Sequence, residues 1–202
     1  MGDPRRLTSH VRGPGHPWQK ERIEEERILL NEYGLKNKQE LWRLSTKVKD
    51  FTQQAKRLIA ATGKQADLEK QQLFHRLQRI GLVHAGAKLD DVLSLTLKNI
   101  LDRRLQTLVF RKGFSRSVKQ ARQFISHQHV SVGGKIVSAP SYIVPVIDEN
   151  TISIIAASGL SKADHPERVP LPPKKKSAAR EQRHGDRRGG GFRRGRRSNE
   201  RR

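Results

Sequence analysis

The chain of 202 residues carries 42 Lys and Arg against 20 Asp and Glu, a formal charge of +22, and its pI is near 11.2. That excess is beyond what solubility requires and suits a polyanionic ligand, nucleic acid before any other. No stretch approaches the ~20 apolar residues of a spanning helix and none has a signal-peptide core, so a soluble intracellular protein without a membrane partner is expected, and zero Cys excludes disulfides, thiolate zinc sites and cysteine nucleophiles.

Residues 1–17, MGDPRRLTSHVRGPGHP, hold three prolines and three glycines among basic residues, and read as an extended segment lying along a partner. From Trp18 the spacing predicts a helix to about Tyr33, with Pro17 before it and Gly34 as its stop. Asn37 is placed to cap a second helix, in which Leu41, Leu44, Val48, Phe51, Ala55, Leu58 and Ile59 recur at three and four as one buried stripe. Gly63 reads as its end. A third helix, about Ala66 to Ile80, presents Leu68, Leu73, Phe74, Leu77 and Ile80 and stops at Gly81. LDDVLSLTLKNIL then reads as one short helix begun by Asp90 or Asp91.

From Leu101 to Thr151 the pattern becomes two short helices followed by strands HVSV, KIV, YIVPVI and TISII. Gly133 and Gly134 suit a two-residue hairpin turn that needs positive φ. Beyond about Asp164 the chain turns into a Pro, Gly and Arg tail that does not bury a core. Over 165–202 it has 14 basic and 4 acidic residues, so the remainder is still at +12. The segments read from these shifts are 1–17, 18–100, 101–164 and 165–202.

Arg103 to Val146 contains eight Lys and Arg and no Asp or Glu. At about 100° per residue, the helix from about Ser117 to His127 puts Val118, Ala121, Phe124 and Ile125 on one side. Extended back to Arg116, it puts Arg116, Lys119, Gln120 and Gln123 on the other. The preceding helix puts Leu101, Leu105, Leu108 and Val109 inward and Arg103, Arg104, Thr107 and Arg111 outward. Gly113 is placed to end it and Ser115 or Ser117 to cap the next, so that free N–H groups stand beside Arg116 and Lys119 and favour a phosphate oxygen. An ordinary solvated face mixes signs; a folded unit without acid points to RNA or DNA. Arg103, Arg104, Arg111, Lys112, Arg116, Lys119 and Lys135 are therefore the expected phosphate contacts. Ser115, Ser117, Gln120, Gln123 and His127 are the expected polar contacts to ribose, base edges or phosphates.

The stretch RRLQTLVFRKGFSRSVKQARQFISHQHVSVGGKIVSAPSYIV resembles the alpha-L RNA-binding motif. RRLQ opens its first helix, SRSVKQARQFI forms the second, VSVGGK is the hairpin and PSY leads into the next strand. That motif is shared by pseudouridine synthases, some methylases, a tRNA synthetase and stress proteins. HPWQKERIEEER, GLKNKQELWR, GKQADLEKQQLFHRLQRIGL and LDDVLSLTLKNILDRRLQTLV make residues 1–165 similar to the archaeal and eukaryotic form of the small-subunit ribosomal protein four family. The resemblance implies an α+β fold, a mostly helical N-terminal part followed by two helices packed on a short antiparallel-rich sheet, with irregular basic tails. It implies a binder of small-subunit ribosomal RNA in the 5′ domain, acting early in assembly, in the cytoplasmic small subunit. Neighbouring small-subunit proteins, and mRNA near the side on which it enters, are the further partners implied. Gly133 stands where the family commonly has Asn, and the RRGGGFRRGRR tail exceeds what the family requires.

Catalytic readings are weaker at every candidate position. ATGKQ, Ala61 to Gln65, lacks the glycine at Leu58 and the Ser or Thr at Gln65 that a phosphate loop needs. Asp90 and Asp91 do not face each other and read as caps, and His127 and His129 have no third ligand nearby in sequence. Trp18 and Trp42 read as packing residues. No enzyme activity, cofactor, metal or small-molecule substrate is expected; the alternative function is a ribosome-biogenesis factor acting on precursor ribosomal RNA.

Overall fold

The computed structural model describes residue 11 and residues 13–162 and 165–167. Most of the expected N-terminal segment, residues 1–10 and 12, and the tail beyond residue 167 lie outside the described residues. Three long helices open the fold: α1 Lys20–Glu32, α2 Lys38–Ala60 and α3 Lys64–Ile80. The short α4 Leu89–Leu93 and α5 Leu97–Asp102 follow, then α6 Leu105–Arg111, α7 Val118–Ser126, β1 Val130–Val132, β2 Lys135–Ile136, α8 Val146–Glu149 and β3 Ser153–Ile154, with a 3-10 turn at Gly159–Ser161. The protein is α+β, helical with a small antiparallel sheet.

Helix α2 organises the N-terminal part because its apolar stripe serves two cores. Leu41 and Leu44, near its start, pack with Tyr33, Leu35, Ile100 and Leu101. Ala55 and Leu58, near its end, pack with Leu73, Leu77, Val83, Val92 and Leu95. Val48 and Phe51 lie between and touch both. Ile59 falls outside the stripe and is half exposed. α2 ends at Ala60, and Gly63 is the N-cap of α3 rather than the stop of α2. LDDVLSLTLKNIL forms two helices, not one; the Asp91 carboxylate accepts from the Lys88 N–H at 2.8 Å and so caps α4 from inside its first turn.

Helix α1 is held by charge more than by apolar contact. Its one buried residue is Glu26, which accepts from Trp42 Nε1 at 3.0 Å, pairs with Lys38 at 3.2 Å and bonds Arg22. Trp42 is thus a packing residue, whereas Trp18 is 92% exposed, contrary to expectation. The helix starts at Lys20, so Trp18 lies in the turn before it and has no helical face to bury.

The region 101–111 departs from the single amphipathic helix expected there. Arg103 closes α5 with αR angles and Arg104 turns extended, so that the two meet a distant segment: Leu105 N–H donates to Tyr142 O at 2.8 Å, Val144 N–H to Arg103 O at 3.0 Å, and Arg104 bridges Ile143. The break rephases α6, so Thr107 faces inward and its hydroxyl donates to Leu101 O at 2.8 Å. For the same reason YIVPVI is not a strand of the sheet. Ile143 makes only that bridge, Pro145 has no N–H to extend the pairing, and the chain turns into α8.

The sheet has the order β2-β1-β3 and is antiparallel throughout. β1 is central and buried at all three positions. It pairs Ser131 with Ile136 and Val132 with Lys135, and Gly133 and Gly134, at φ 56° and 75°, close the two-residue turn as their sequence predicts. Leu105, Leu108 and Val109 of α6, Ala121, Phe124 and Ile125 of α7, and Val130 and Val132 of β1 form the core beneath it, with Val144, Ile152 and Leu160.

Polar side chains join this module to the helices. Glu40 of α2 accepts from Arg104 at 2.8 Å and from both terminal nitrogens of Arg122 at 2.7 and 3.2 Å. Gln106, 1% exposed, donates through Nε2 to Gly34 O at 3.1 Å and Val118 O at 2.9 Å. Tyr33 donates to Asp102 at 2.9 Å; burial, then that hydrogen bond, push its hydroxyl up to about 12. Burial alone would raise the Glu40 carboxyl, but the hydrogen bonds and charges of Arg122 and Arg104 outweigh it and hold the group below the ordinary carboxylate value. Glu26 is lowered in the same sense, its burial outweighed by Trp42, Arg22 and Lys38.

Glu40→Gln is expected to lower stability by about 3 kcal/mol, the lower end of the cost of stranding a buried charge, as read by urea unfolding at neutral pH. A depressed carboxyl stabilises the fold above its unfolded value of about 4.3 and ceases to do so as pH falls through its folded value; the difference between wild type and Glu40→Gln is therefore expected to shrink below that pH. At Gly81, φ is +77° and an added Cβ would stand 2.6 Å from Val146 Cγ2. Gly81→Ala is expected to destabilise by about 2–3 kcal/mol, roughly 1 from the left-handed backbone and the rest from the clash. Adding Val146→Ala is expected to restore only the second share in a double-mutant unfolding series.

Candidate nucleic-acid interface

The face centred on α7 is built by local capping chemistry. Ser117 is the N-cap, and its Oγ accepts from Gln120 N–H at 3.2 Å. The Gln120 side chain returns through Oε1, accepting from Arg116 N–H at 2.8 Å, a variant of the capping box. Ser115 is buried and donates to Ser117 O at 3.2 Å. With this start fixed and Ala121, Phe124 and Ile125 buried, Lys119, Gln123 and His127 recur at four on the outward side and are all exposed. Arg116 lies half-buried one turn earlier, and its Nε has no acceptor. Lys135, exposed, opens β2 directly after the Gly-Gly turn.

Several expected contacts serve the fold. Arg104 is 2% exposed and bound to Glu40, so its assignment as a phosphate contact is corrected: the break before α6 turns it into the core. Ser115 is buried as well and is corrected with it. Gln120 is occupied on both sides, since Nε2 donates to Glu167 O at 3.0 Å. Arg103 donates to Glu149 at 2.7 Å and to Val144 O at 3.2 Å. Arg111 pairs with Asp102 at 2.6 Å at the surface, and Lys112 bonds the Glu149 carbonyl.

The eight cations of the acid-free stretch thus divide by partner. Arg103, Arg104, Arg111 and Arg122 meet acids from outside the acid-free stretch and Lys112 meets a carbonyl. Arg116, Lys119 and Lys135 remain without an acidic partner among the described residues. Arg116 and Lys119 leave the α7 face positive, and Lys135 adds a cation at the hairpin. Lys119, Gln123 and His127 along one edge of α7, with Arg116 at its start, offer charge for phosphates and amide or imidazole groups for base and ribose edges.

Arg122 was absent from the expected contacts and proves central. Its position gave a hint: it is one turn after Val118, at the margin of the apolar stripe, where a guanidinium needs an inward acid. His127 and His129 stack with ring centroids 6.3 Å apart, and His129 Nδ1 lies 2.9 Å from Ser158 Oγ. Among the described residues no group of three or more His, Cys, Asp or Glu could hold a metal, and no helix is long and apolar enough to cross a membrane.

Comparison with known proteins places this geometry in a family. Residues 103–150 match the S4 domain, the span that holds α6, α7, β1, β2 and α8. The small ribosomal subunit protein uS4 of Methanococcus aeolicus is 53% identical over 170 residues, which cover 84% of this chain and 96% of that protein. Those of Methanococcus maripaludis strain C6 and Methanococcus vannielii are each 47% identical, with the same coverage. A match of 170 residues takes in the helical part that supplies Glu40 as well as the module that binds it, and on that evidence the chain belongs to the small ribosomal subunit protein uS4 family.

Proposed function

We propose that this chain is a structural protein of the small ribosomal subunit that binds its RNA without catalysis, Arg116, Lys119 and Lys135 meeting phosphates and Gln123 and His127 meeting ribose or base edges. The observation that carries this reading is the division of charge: acids near the module are taken up by Arg103, Arg104 and Arg122, and at the surface by Arg111, while Arg116, Lys119 and Lys135 lack acidic partners among the described residues. Such an arrangement favours a polyanion over ordinary solvation. Exposed Arg111 and Lys112 can exchange their surface partners for phosphate at small cost, because a surface ion pair contributes ~0–1 kcal/mol.

The reading extends to both the helical part, 18–100, and the module, 101–164, as RNA-binding units, and to the cytoplasmic small subunit as the location. Its finer form is contact with the 5′ domain of the small-subunit RNA early in assembly, beside neighbouring ribosomal proteins and near the side on which mRNA enters. The family resemblance supports that form.

Full-length protein is expected to prefer small-subunit 5′-domain RNA over a size-matched unrelated RNA, with the preference persisting as salt is raised. Replacing Arg116 and Lys119 together with Ala is expected to weaken binding and to flatten the slope of log K against log salt by up to about 2. Equal, salt-labile binding to both RNAs would overturn the ribosomal reading; an unchanged slope would remove the α7 face from it.

A further inference from the structure

We propose that a second site, the groove between α2 and α3, seats one unpaired nucleotide of the bound RNA, its base on an apolar floor and its phosphates on Lys47 and Arg76. The proposal rests on the RNA-binding reading above and adds a site outside the α7 face. The groove encloses about 310 Å³; Phe51, Ile80 and Ile143 form its apolar lining, and Lys47, Asp50 and Arg76 its charged groups. A volume at the low end of small-ligand pockets, ~300–1,000 Å³, admits a planar ring system and is too small for a helix.

The polar groups fit the parts of a nucleotide one by one. Among the described residues the side chains of Lys47 and Arg76 enter no hydrogen bond or ion pair, so both are available to phosphate oxygens. Asp50 would repel a phosphate, but accepts from an exocyclic amino group such as adenine or cytosine carries. Phe51 supplies the aromatic contact on which bases stack with little regard to sequence.

The site also continues. Lys47 also lines a neighbouring groove of about 360 Å³ with exposed Arg43, beside the cluster in which Glu40 holds Arg104 and Arg122, so a backbone leaving the first groove meets Arg43 next. Arg43, Lys47, Asp50 and Gln54 recur at four, three and four along α2, a polar stripe beside the buried one. Charge complementarity therefore favours a nucleic-acid strand over a basic protein neighbour.

The test uses the full chain and three ten-residue single-stranded probes of equal charge: oligoadenylate, oligouridylate and an abasic ribose-phosphate chain. Wild type is expected to bind oligoadenylate about tenfold more tightly than the abasic chain, and more tightly than oligouridylate. Lys47→Ser with Arg76→Ser is expected to abolish that preference and lower the salt slope by about 1.4. Lys56→Ser with Lys64→Ser removes the same charge from exposed positions and is expected to keep the preference, and Asp50→Ala is expected to erase only the difference between adenylate and uridylate. Equal binding of all three probes by wild type, while the Arg116 and Lys119 variant still loses 5′-domain affinity, would overturn the groove and leave the RNA reading intact. Loss of 5′-domain selectivity altogether would overturn both. A groove variant that binds every RNA like wild type but fails to enter reconstituted subunits would make the occupant a protein segment and overturn the proposal.

Discussion

The carboxylate of Glu40 is the constraint on which the rest of the structure depends. The module buries Arg104 almost completely, yet from Arg103 to Val146 it has no acid with which to neutralise it. A guanidinium remains charged at any accessible pH, and a buried charge without a partner costs several kcal/mol. The counter-charge must come from another part of the chain, and α2 supplies it. Once Glu40 has met Arg104, the second face of its carboxylate receives Arg122, and α6, α7 and α2 are fixed to one point. Gln106 and Tyr33 then add bonds of fixed direction around that point. Relative to apolar packing such a cluster adds little net stability; its effect is to select one arrangement of module against helices.

The same arrangement separates the signs of charge. Glu40 and Glu149 are drawn onto Arg104 and Arg103, which no longer project, and Asp102 pairs with Arg111 at the surface. What remains on the outside of α7 and the hairpin is cationic, and is held by short-range caps rather than by long flexible segments. A site supported in this way loses little conformational freedom when a polyanion arrives. Charge alone, spread over a +22 chain, would give attraction without orientation; the capped helix start and the type of turn at Gly133–Gly134 give it direction.

Much of this was legible in the sequence because it is local. The stripe of α2 apart from Ile59, the cap at Ser117 and the glycine turn each depend on residues within a few positions, and each appears where its pattern puts it. The failures share a cause of the opposite kind. Arg103 reaches Val144 across 41 positions, and that pairing, invisible to a helical wheel, breaks the helix before α6 and turns Arg104 and Thr107 inward. YIVPVI was misread with it, since its partner is Arg104 and not the sheet. Arg104 looked like a surface cation because the acid that buries it lies 64 residues away on another helix. Trp18 was misread for a smaller reason, a helix that begins two residues later than its apolar residues suggested. Similarity over residues 1–165, by contrast, is readable from the helical blocks as well as from the module, since both belong to the uS4 family pattern.

The position of Glu40 along the chain has a temporal meaning. A polypeptide is made from its N-terminus, and its units fold roughly in that order. Glu40 precedes Arg104 by 64 residues and Arg122 by 82. When the two arginines leave the synthesising ribosome, their acceptor has already been made. The nascent module never has to bury a guanidinium while its counter-charge is still unmade, and vectorial synthesis thereby removes the costliest intermediate from its folding path.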